Sequence, residues 1–317
     1  MFFYILKRLA YAIPIALAVS AVCFSLVYIA PGDPLNSIVP SDASQDLIDT
    51  LKKEYGLDKP IPVQYALWVG RAVRGDLGRS IATGRSVATE IGKAISNTFI
   101  IAVAASLVGF SLGALFGTIA GYTNGSWVDK AVSGIAIAGV SVPHYWLGMV
   151  LVIVFSVTLN WLPAMGAGAG GSADWSWDYD HMKYMILPAL TLSAIPTGII
   201  TRTLRALVAD ILSREFVIAL AAKGLAQKAI FMHVVKNAAP TALAVMGVQL
   251  GYLLGGSILV ETVFSWPGTG MLLNNAIFQR DIPVLQGTIL VLALFFVALN
   301  LIVDVVQTLF DPRIKRT

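Results

Sequence analysis

Six long apolar runs constrain this chain more than any other feature of its sequence. They cover residues 9–30, 98–122, 131–159, 185–209, 238–263 and 283–310. Several of them exceed the roughly 18 consecutive apolar residues that indicate a membrane-spanning helix. Charged residues make up only 13% of the chain, whereas a soluble domain has about 25%. The sequence therefore predicts an all-α integral membrane protein with six transmembrane helices.

The segments between the runs predict the domain organisation and the orientation. Residues 1–30 form an uncleaved anchor helix, because their apolar core is longer than the roughly 7–15 residues of a signal peptide. The remaining parts are an extracytoplasmic lobe (31–97), a transmembrane core (98–310) and a cytoplasmic tail (311–317). With both termini in the cytoplasm, the cytoplasmic segments carry twelve basic residues and the two short outer loops carry two, as the positive-inside rule requires.

The lobe is predicted to contain two helices. The first covers residues 44–55 and is closed by Gly56. The second covers residues 62–73, and its apolar face carries Tyr65, Trp68, Val69 and Ala72 at helical spacing. We expect this aromatic face to pack within the lobe or at the bilayer interface rather than to bind a ligand.

Two of the predicted spans carry glycine stripes. The second span has Gly109, Gly113, Gly117 and Gly121, and the fifth has Gly247, Gly251, Gly255 and Gly256. Small residues at this spacing allow helix backbones to approach closely in a bilayer. The third run is predicted to be one span with Pro143 inside it.

The motifs of soluble enzymes are missing from the sequence. There is no phosphate loop, no H-E-x-x-H and no G-x-S-x-G. The only cysteine is Cys23, and His144, His181 and His233 do not have a metal-site spacing. Glu261 and Asp304 lie near the ends of spans, where anchoring or helix pairing is as good an interpretation as proton relay. We therefore expect no enzyme activity, cofactor or metal in this chain, and an energy source in another subunit.

The net charge of +4 and the pI near 9.1 do not indicate nucleic-acid binding. Basic residues collect beside membrane spans on the cytoplasmic side. Six of them lie between residues 202 and 236, a cytoplasmic segment with a short helix at its centre.

This short helix is predicted at residues 213–224. Ser213 would cap its N-terminus, Glu215 would lie in the first turn, and Gly224 would end it in the left-handed conformation. One face would carry Phe216, Ala219, Leu220 and Lys223, while neighbouring alanines keep the helix slim. A helix that lies on lipid needs a larger apolar face. The pattern instead favours insertion into a groove on a partner protein.

The same segment carries a family resemblance. The sequence IALAAKGL, followed by HVVKNAAP, resembles the cytoplasmic EAA loop of ATP-binding-cassette (ABC) importer permeases, with Gly224 at the motif's glycine. Ile218 and Leu220 replace the motif's glutamate and second alanine. Further matches follow in order: PGDP at 31–34, GLDKP at 56–60, GDLG at 75–78, ILP at 186–188, ETVFSWPG at 261–268 and RDIPVLQG at 280–287. The set resembles the first permease subunit of dipeptide and oligopeptide importers, in the peptide/nickel family.

The resemblance implies a permease subunit in the bacterial inner membrane. Its partners would be a second homologous permease, two ABC ATPases that carry ATP and Mg²⁺, an extracytoplasmic substrate-binding protein and the lipid bilayer. The residues expected to couple to the ATPase are Glu215, Phe216, Ala219, Leu220, Ala222, Lys223 and Gly224. The residues expected at the extracytoplasmic gate or on the binding-protein side are Glu261, Trp266, Pro267 and Asp281.

Several alternatives remain open from the sequence. The cargo of such a permease is a di- or oligopeptide, or else nickel, glutathione or another small solute. A stand-alone channel or an ion-coupled transporter would predict flux without ATP, but charge near the membrane midplane is sparse. A membrane-embedded enzyme would need a nucleophile–base pair or a metal set, and the sequence has neither.

Overall fold

The computed structural model describes residues 2–29, 46, 52, 58–171 and 175–310. The predicted helix at 44–55, the motif at 31–34, the tail at 311–317 and the side chain of Asp304 lie outside the described residues. Within the described ranges the regular structure is helical, and an isolated bridge joins Arg79 to Ser86. The all-α prediction is confirmed.

The described helices are numbered in chain order. Their bounds are α1 (Phe2–Ile29), α2 (Ile61–Val73), α3 (Val87–Tyr122), α4 (Trp127–Ser141), α5 (His144–Leu151, continued by a π-helical stretch at Val152–Thr158), α6 (Tyr179–Leu212), α7 (Glu215–Ala222), α8 (Gln227–Val263), α9 (Thr269–Phe278) and α10 (Ile282–Phe310).

Several of these helices are suited to a bilayer. Among the described residues, α3, α6, α8 and α10 are long and apolar enough to cross a membrane. The pair α4–α5 brings the number to five if it forms one span. In α1 the apolar stretch found is the shorter Ile13–Ser25. A membrane protein with four to five candidate spans is thus established, and six remains a prediction.

The third predicted span is not one straight helix. Helix α4 ends at Ser141, α5 begins at His144, and the two axes differ by 102°. Pro143 explains the break, because proline removes a backbone donor and pushes the preceding residue towards extended geometry. Val142 indeed has φ −79° and ψ 127°. The run therefore forms a broken span or a re-entrant loop, and its crossing as one span stays a prediction.

Backbone contacts divide the chain into two compact units. One comprises Met1–Ser96 with Gly268–Ala298, and the other comprises Asn97–Pro267 with Leu299–Thr317. These units do not follow the boundaries of the predicted lobe and core, which stay predictions.

In the first unit, the aromatic face of α2 packs on other helices. Trp68 forms a buried cluster with Phe24 of α1 and Leu290 of α10, and Tyr65, Val69 and Ala72 lie against it. The hydroxyl groups of Tyr65 and Ser20 are 2.8 Å apart. The predicted aromatic face of α2 is therefore a packing face. It contacts α1, the predicted anchor, and α10, a helix of the predicted core. A second cluster joins Val87 and Ile91 of α3 to Ala276 of α9 and Val284 of α10.

In the second unit, the glycine stripe of α3 lies directly against α6. A Cβ atom at Gly117 would lie 2.7 Å from Leu204 Cβ, and one at Gly121 would lie 2.7 Å from Val208 Cβ. Such distances are shorter than real Cβ contacts, so the two backbones touch as the stripe predicts.

The predicted stripe on α8 behaves differently. Gly247 and Gly251 are buried, but a Cβ at Gly255 would meet nothing within 4 Å. At Gly256 it would meet only the ring of Tyr252 from the same helix. The stripe therefore does not form one continuous contact within this chain.

Helix α6 lies at the centre of the second unit. On one side, Gly198 lies so close to α4 that a Cβ would be 2.5 Å from the carbonyl oxygen of Ala136. Towards its C-terminus, α6 shares a buried apolar cluster with α7 and α8. That cluster is the base on which the candidate site is built.

Candidate functional site

The candidate site is helix α7, which is separated from α6 by two residues. Ser213 belongs to the end of α6, where its hydroxyl donates to the carbonyl oxygen of Asp210 at 2.8 Å. Arg214 then adopts extended geometry and precedes Glu215, the first residue of α7. The predicted N-cap at Ser213 is therefore wrong, and the helix is shorter than 213–224. The reason is that α6 continues to Leu212 and uses Ser213 as its own C-cap.

One face of α7 is fixed to the rest of the unit. Val217 is only 7% exposed and lies in the cluster with Ile211 of α6 and with Ile230 and Val234 of α8. Leu220, three residues later, is partly buried against the same cluster. Val217 was missed by the sequence analysis. Val217 and Leu220 are three residues apart, a spacing that is typical of one helix face. Because neighbouring residues are also apolar, the same spacing rule allowed other buried faces.

The opposite face of α7 is exposed. Glu215, Phe216, Ala219, Ala222 and Lys223 all belong to it. Ile218 is exposed as well, with 63% of its surface accessible. The predicted stripe of Phe216, Ala219, Leu220 and Lys223 is therefore split, because Leu220 turns inwards.

The C-terminus of α7 has a specific closing geometry. Gly224 has φ +78°, so the predicted left-handed conformation is confirmed. The N–H group of Gly224 donates to the carbonyl oxygen of Ala221 at 3.0 Å. The N–H group of Leu225 donates to the carbonyl oxygen of Leu220 at 3.3 Å. These two bonds form a Schellman motif, which satisfies carbonyl groups that a helix end would leave open. Leu220 and Leu225 both pack on the base cluster, so the motif also fixes the direction in which the chain leaves.

The charges on α7 suit its dipole. Glu215 lies in the first turn and Lys223 follows the last residue. An acidic residue at the N-terminus and a basic one at the C-terminus each stabilise a helix. Between them the exposed surface is small and apolar, about 12 Å long at 1.5 Å per residue. Such a surface can bind a complementary groove.

A second set of predicted residues lies around the turn after α8. The Glu261 carboxylate is fully buried and accepts a hydrogen bond from the Thr98 hydroxyl at 2.7 Å. Trp266 is also fully buried, and its indole N–H donates to the carbonyl oxygen of Asn97 at 3.0 Å. The Asn97 side chain donates in turn to the carbonyl oxygen of Pro267 at 3.0 Å. These residues therefore stabilise the turn from inside, and their roles at a gate stay predictions.

Asp281 belongs to the other unit and caps α10. Its carboxylate accepts hydrogen bonds from the Ser80 hydroxyl at 2.5 Å and from the backbone of Ala82 at 3.2 Å. The N–H group of Val284 also donates to it, at 3.3 Å. Asp281 is only 2% exposed, so it holds the loop before α3 rather than presenting a charge on the surface.

The described residues also show how the potential metal ligands and the cysteine are placed. Within the described ranges, no three His, Cys, Asp or Glu side chains are grouped so that they could hold a metal ion. Cys23 is buried in α1.

Comparison with known proteins decides the family. The family described as "Binding-protein-dependent transport system inner membrane component" matches residues 113–316, and its N-terminal companion matches residues 1–107. The chain belongs to this permease family. The resemblance inferred from the ordered motifs is thereby confirmed.

Relatives of this permease match it over nearly their whole length. A putative peptide transport system permease protein of Brucella abortus is 36% identical over 312 residues, which cover 98% of each chain. The glutathione transport system permease protein GsiC of Escherichia coli K12 is 37% identical over 313 residues, again 98% of each. The dipeptide transport system permease protein DppB of Alkalihalophilus pseudofirmus is 36% identical over 331 residues, covering 98% of this permease and 99% of the relative.

Membership of the family fixes the general role of the permease. It is an inner-membrane component of a binding-protein-dependent transport system, and permeases of this kind provide the membrane passage rather than a catalytic centre. The apolar helices agree with that location.

Proposed function

We propose that this permease forms half of the translocation pathway of an ATP-driven ABC importer for peptides. The observation that carries the proposal is helix α7, with its slim, exposed face and its buried opposite face. An element that must receive a force from a partner has to be accessible on one side and firmly attached on the other. Helix α7 has both properties within eight residues.

The proposed partners are those that the family resemblance implies. A second homologous permease completes the pathway, an extracytoplasmic binding protein delivers the cargo, and two ATPase subunits bind ATP and Mg²⁺. One of the two ATPases offers a groove for α7, which Phe216, Ala219, Ala222 and Lys223 enter. Closure of the ATPases displaces α7 and drives alternating access by movement of the spans.

The proposed topology has six crossings, with both termini and α7 in the cytoplasm. In this arrangement the bent pair α4–α5 provides the third crossing, and the lobe lies outside. The six basic residues between 202 and 236 support the cytoplasmic assignment, because basic residues accumulate in cytoplasmic loops.

The proposed cargo is a short peptide. The three relatives described above are named for peptides, dipeptides and glutathione, and glutathione is itself a tripeptide. This agreement favours peptides over nickel, the other cargo that the resemblance left open.

Co-purification tests the docking role of α7. We expect the permease to retain the ATPase subunits of its importer in detergent, and Ala219→Trp to lose them, because a bulky side chain cannot enter a narrow groove. Ala88→Trp is a matched control, since Ala88 is also exposed on a helix but lies in the first turn of α3. Equal retention of the ATPases by the wild-type protein and Ala219→Trp would refute the docking face.

A further inference from the structure

An ion pair with a buried carboxylate joins α4 to α6 within residues 202–236, the segment that contains α7. Asp129, in the first turn of α4, is only 2% exposed. Its two carboxylate oxygens accept hydrogen bonds from Nε and Nη2 of Arg205, each at 2.7 Å. A two-point contact between a guanidinium and a carboxylate fixes orientation as well as distance.

The surrounding loop is attached to the same pair. The backbone N–H of Gly125 donates to Asp129 at 2.9 Å, and Arg205 also donates to the side-chain oxygen of Asn124 at 3.0 Å. Ser126 caps α4 by accepting from the N–H of Asp129 at 3.2 Å. The connection between α3 and α4 is therefore held to α6 by one arginine side chain.

Other ion pairs of α6 have a different character. Asp180 pairs with Lys183 at 3.0 Å, and Asp210 pairs with Arg214 at 2.7 Å. Both pairs connect residues three or four positions apart, and their aspartate side chains are exposed, whereas that of Asp129 is buried. Pairs of this kind contribute little to structure. The Asp129–Arg205 pair instead links residues 76 positions apart.

The position of Arg205 connects this pair to α7. Arg205 lies two helical turns before Leu212, the end of α6, and α7 follows after two residues. Val217 of α7 packs in one cluster with Ile211 of α6, so a displacement of α7 must act on the end of α6. Gly198 gives α6 a second, direct contact with α4 at Ala136.

Beyond that contact, α4 leads into the 102° bend and α5. We propose that Asp129 and Arg205 form a clamp that transmits the displacement of α7 to the bent pair α4–α5. They are positioning residues for transport: they contact no cargo and act through the helices they join. This role rests on the proposed importer function. Replacing Arg205 leaves a buried carboxylate without its counter-ion, which loosens α4 from α6 while α7 keeps its own anchors.

The test uses the complete importer, reconstituted in liposomes with its second permease, ATPases and binding protein. The probe is a ¹⁴C-labelled mixture of di- and tripeptides that includes glutathione, and both peptide uptake and ATP hydrolysis are measured. In Arg205→Lys, which keeps the charge but not the two-point contact, we expect uptake per ATP to fall about threefold. In Arg205→Gln we expect a fall of about tenfold, within the range of known couplings between sites. Asp180→Asn, which removes an exposed pair in the same helix, should leave the ratio unchanged.

The outcomes separate the clamp from simpler explanations. A graded fall in uptake per ATP, with assembled complex and ATP hydrolysis retained, supports the clamp. An unchanged ratio in both variants overturns it, as does a loss of uptake that only follows a loss of assembled complex. If the importer with Arg205→Gln does not assemble, peptide uptake per ATP is measured in Arg205→Lys and Asn124→Ala instead. The same criteria then decide for or against the clamp. Absence of ATP-dependent uptake in the wild-type importer would overturn the proposed function, and the clamp with it.

Discussion

At the scale of single residues, the backbone conformation of Gly224 at the end of α7 limits which residues can replace it. With φ +78°, a β-branched residue there would cost about 1–3 kcal/mol. Gly224→Val should therefore disturb the Schellman motif and lower ATP-dependent peptide uptake. Gly224→Asn should retain most uptake, because asparagine tolerates the left-handed conformation. Similar uptake by the two variants would show that the backbone geometry does not matter.

Val217 and Ile218 are neighbours with opposite surroundings, and they provide a second prediction. Val217 is 7% exposed and Ile218 is 63% exposed. Val217→Ala should lower the free energy of unfolding by about 1–2 kcal/mol, since it opens a cavity in the base cluster. Ile218→Ala should leave stability unchanged and weaken ATPase binding. Thermal unfolding of the purified variants and their affinity for the ATPase subunits would test this. The prediction would be contradicted if both substitutions changed stability and ATPase affinity to the same extent.

The sequence identified this helix and its terminal glycine, but it placed Leu220 on the same face as the exposed residues Phe216, Ala219 and Lys223. Phe216, Val217, Ile218 and Leu220 are all apolar, and two helical turns are too few for periodicity to select one face. The choice depends on where α6 and α8 lie, which is a tertiary property. The pair Asp129–Arg205 was missed for the same reason, because its members are 76 positions apart.

At the scale of helices, the surroundings of each glycine show whether another helix lies against it. Some glycines touch a neighbouring helix, whereas others only leave room for one. Gly198→Ala would place a methyl group 2.5 Å from the carbonyl oxygen of Ala136, and such overpacking costs about 1–3 kcal/mol. At Gly255 a Cβ meets nothing within 4 Å. Gly255→Ala should therefore be neutral or slightly stabilising, since alanine favours helix. A lower melting temperature for Gly255→Ala than for Gly198→Ala would contradict this packing.

The same distinction explains which helix-level predictions succeeded. The stripe on α3 does contact α6, whereas a Cβ at Gly255 in the α8 stripe would meet none of the described residues within 4 Å. Glycine spacing shows that a close approach is possible, but it does not show that a neighbouring helix is present. Similarly, the sequence places Pro143 inside the third apolar run. The bend of 102° depends on packing around the break.

At the scale of the whole molecule, the proposed orientation predicts which side each loop faces. In a Cys23→Ser background, Trp177→Cys should react with a membrane-impermeant maleimide in intact spheroplasts. Asp210→Cys should react only after the membrane is permeabilised. Both positions are exposed, so the membrane alone controls access. The reverse labelling pattern would invert the topology and place α7 outside.

In the proposed importer, ATPases drive peptide import through contact with α7. The most direct measurement is peptide uptake into proteoliposomes that contain either the complete complex or this permease alone. The complete complex should accumulate peptides only with ATP, Ala219→Trp should abolish accumulation, and Ala88→Trp should preserve it. Equal peptide flux through the permease alone, without ATP or ATPase subunits, would contradict the account.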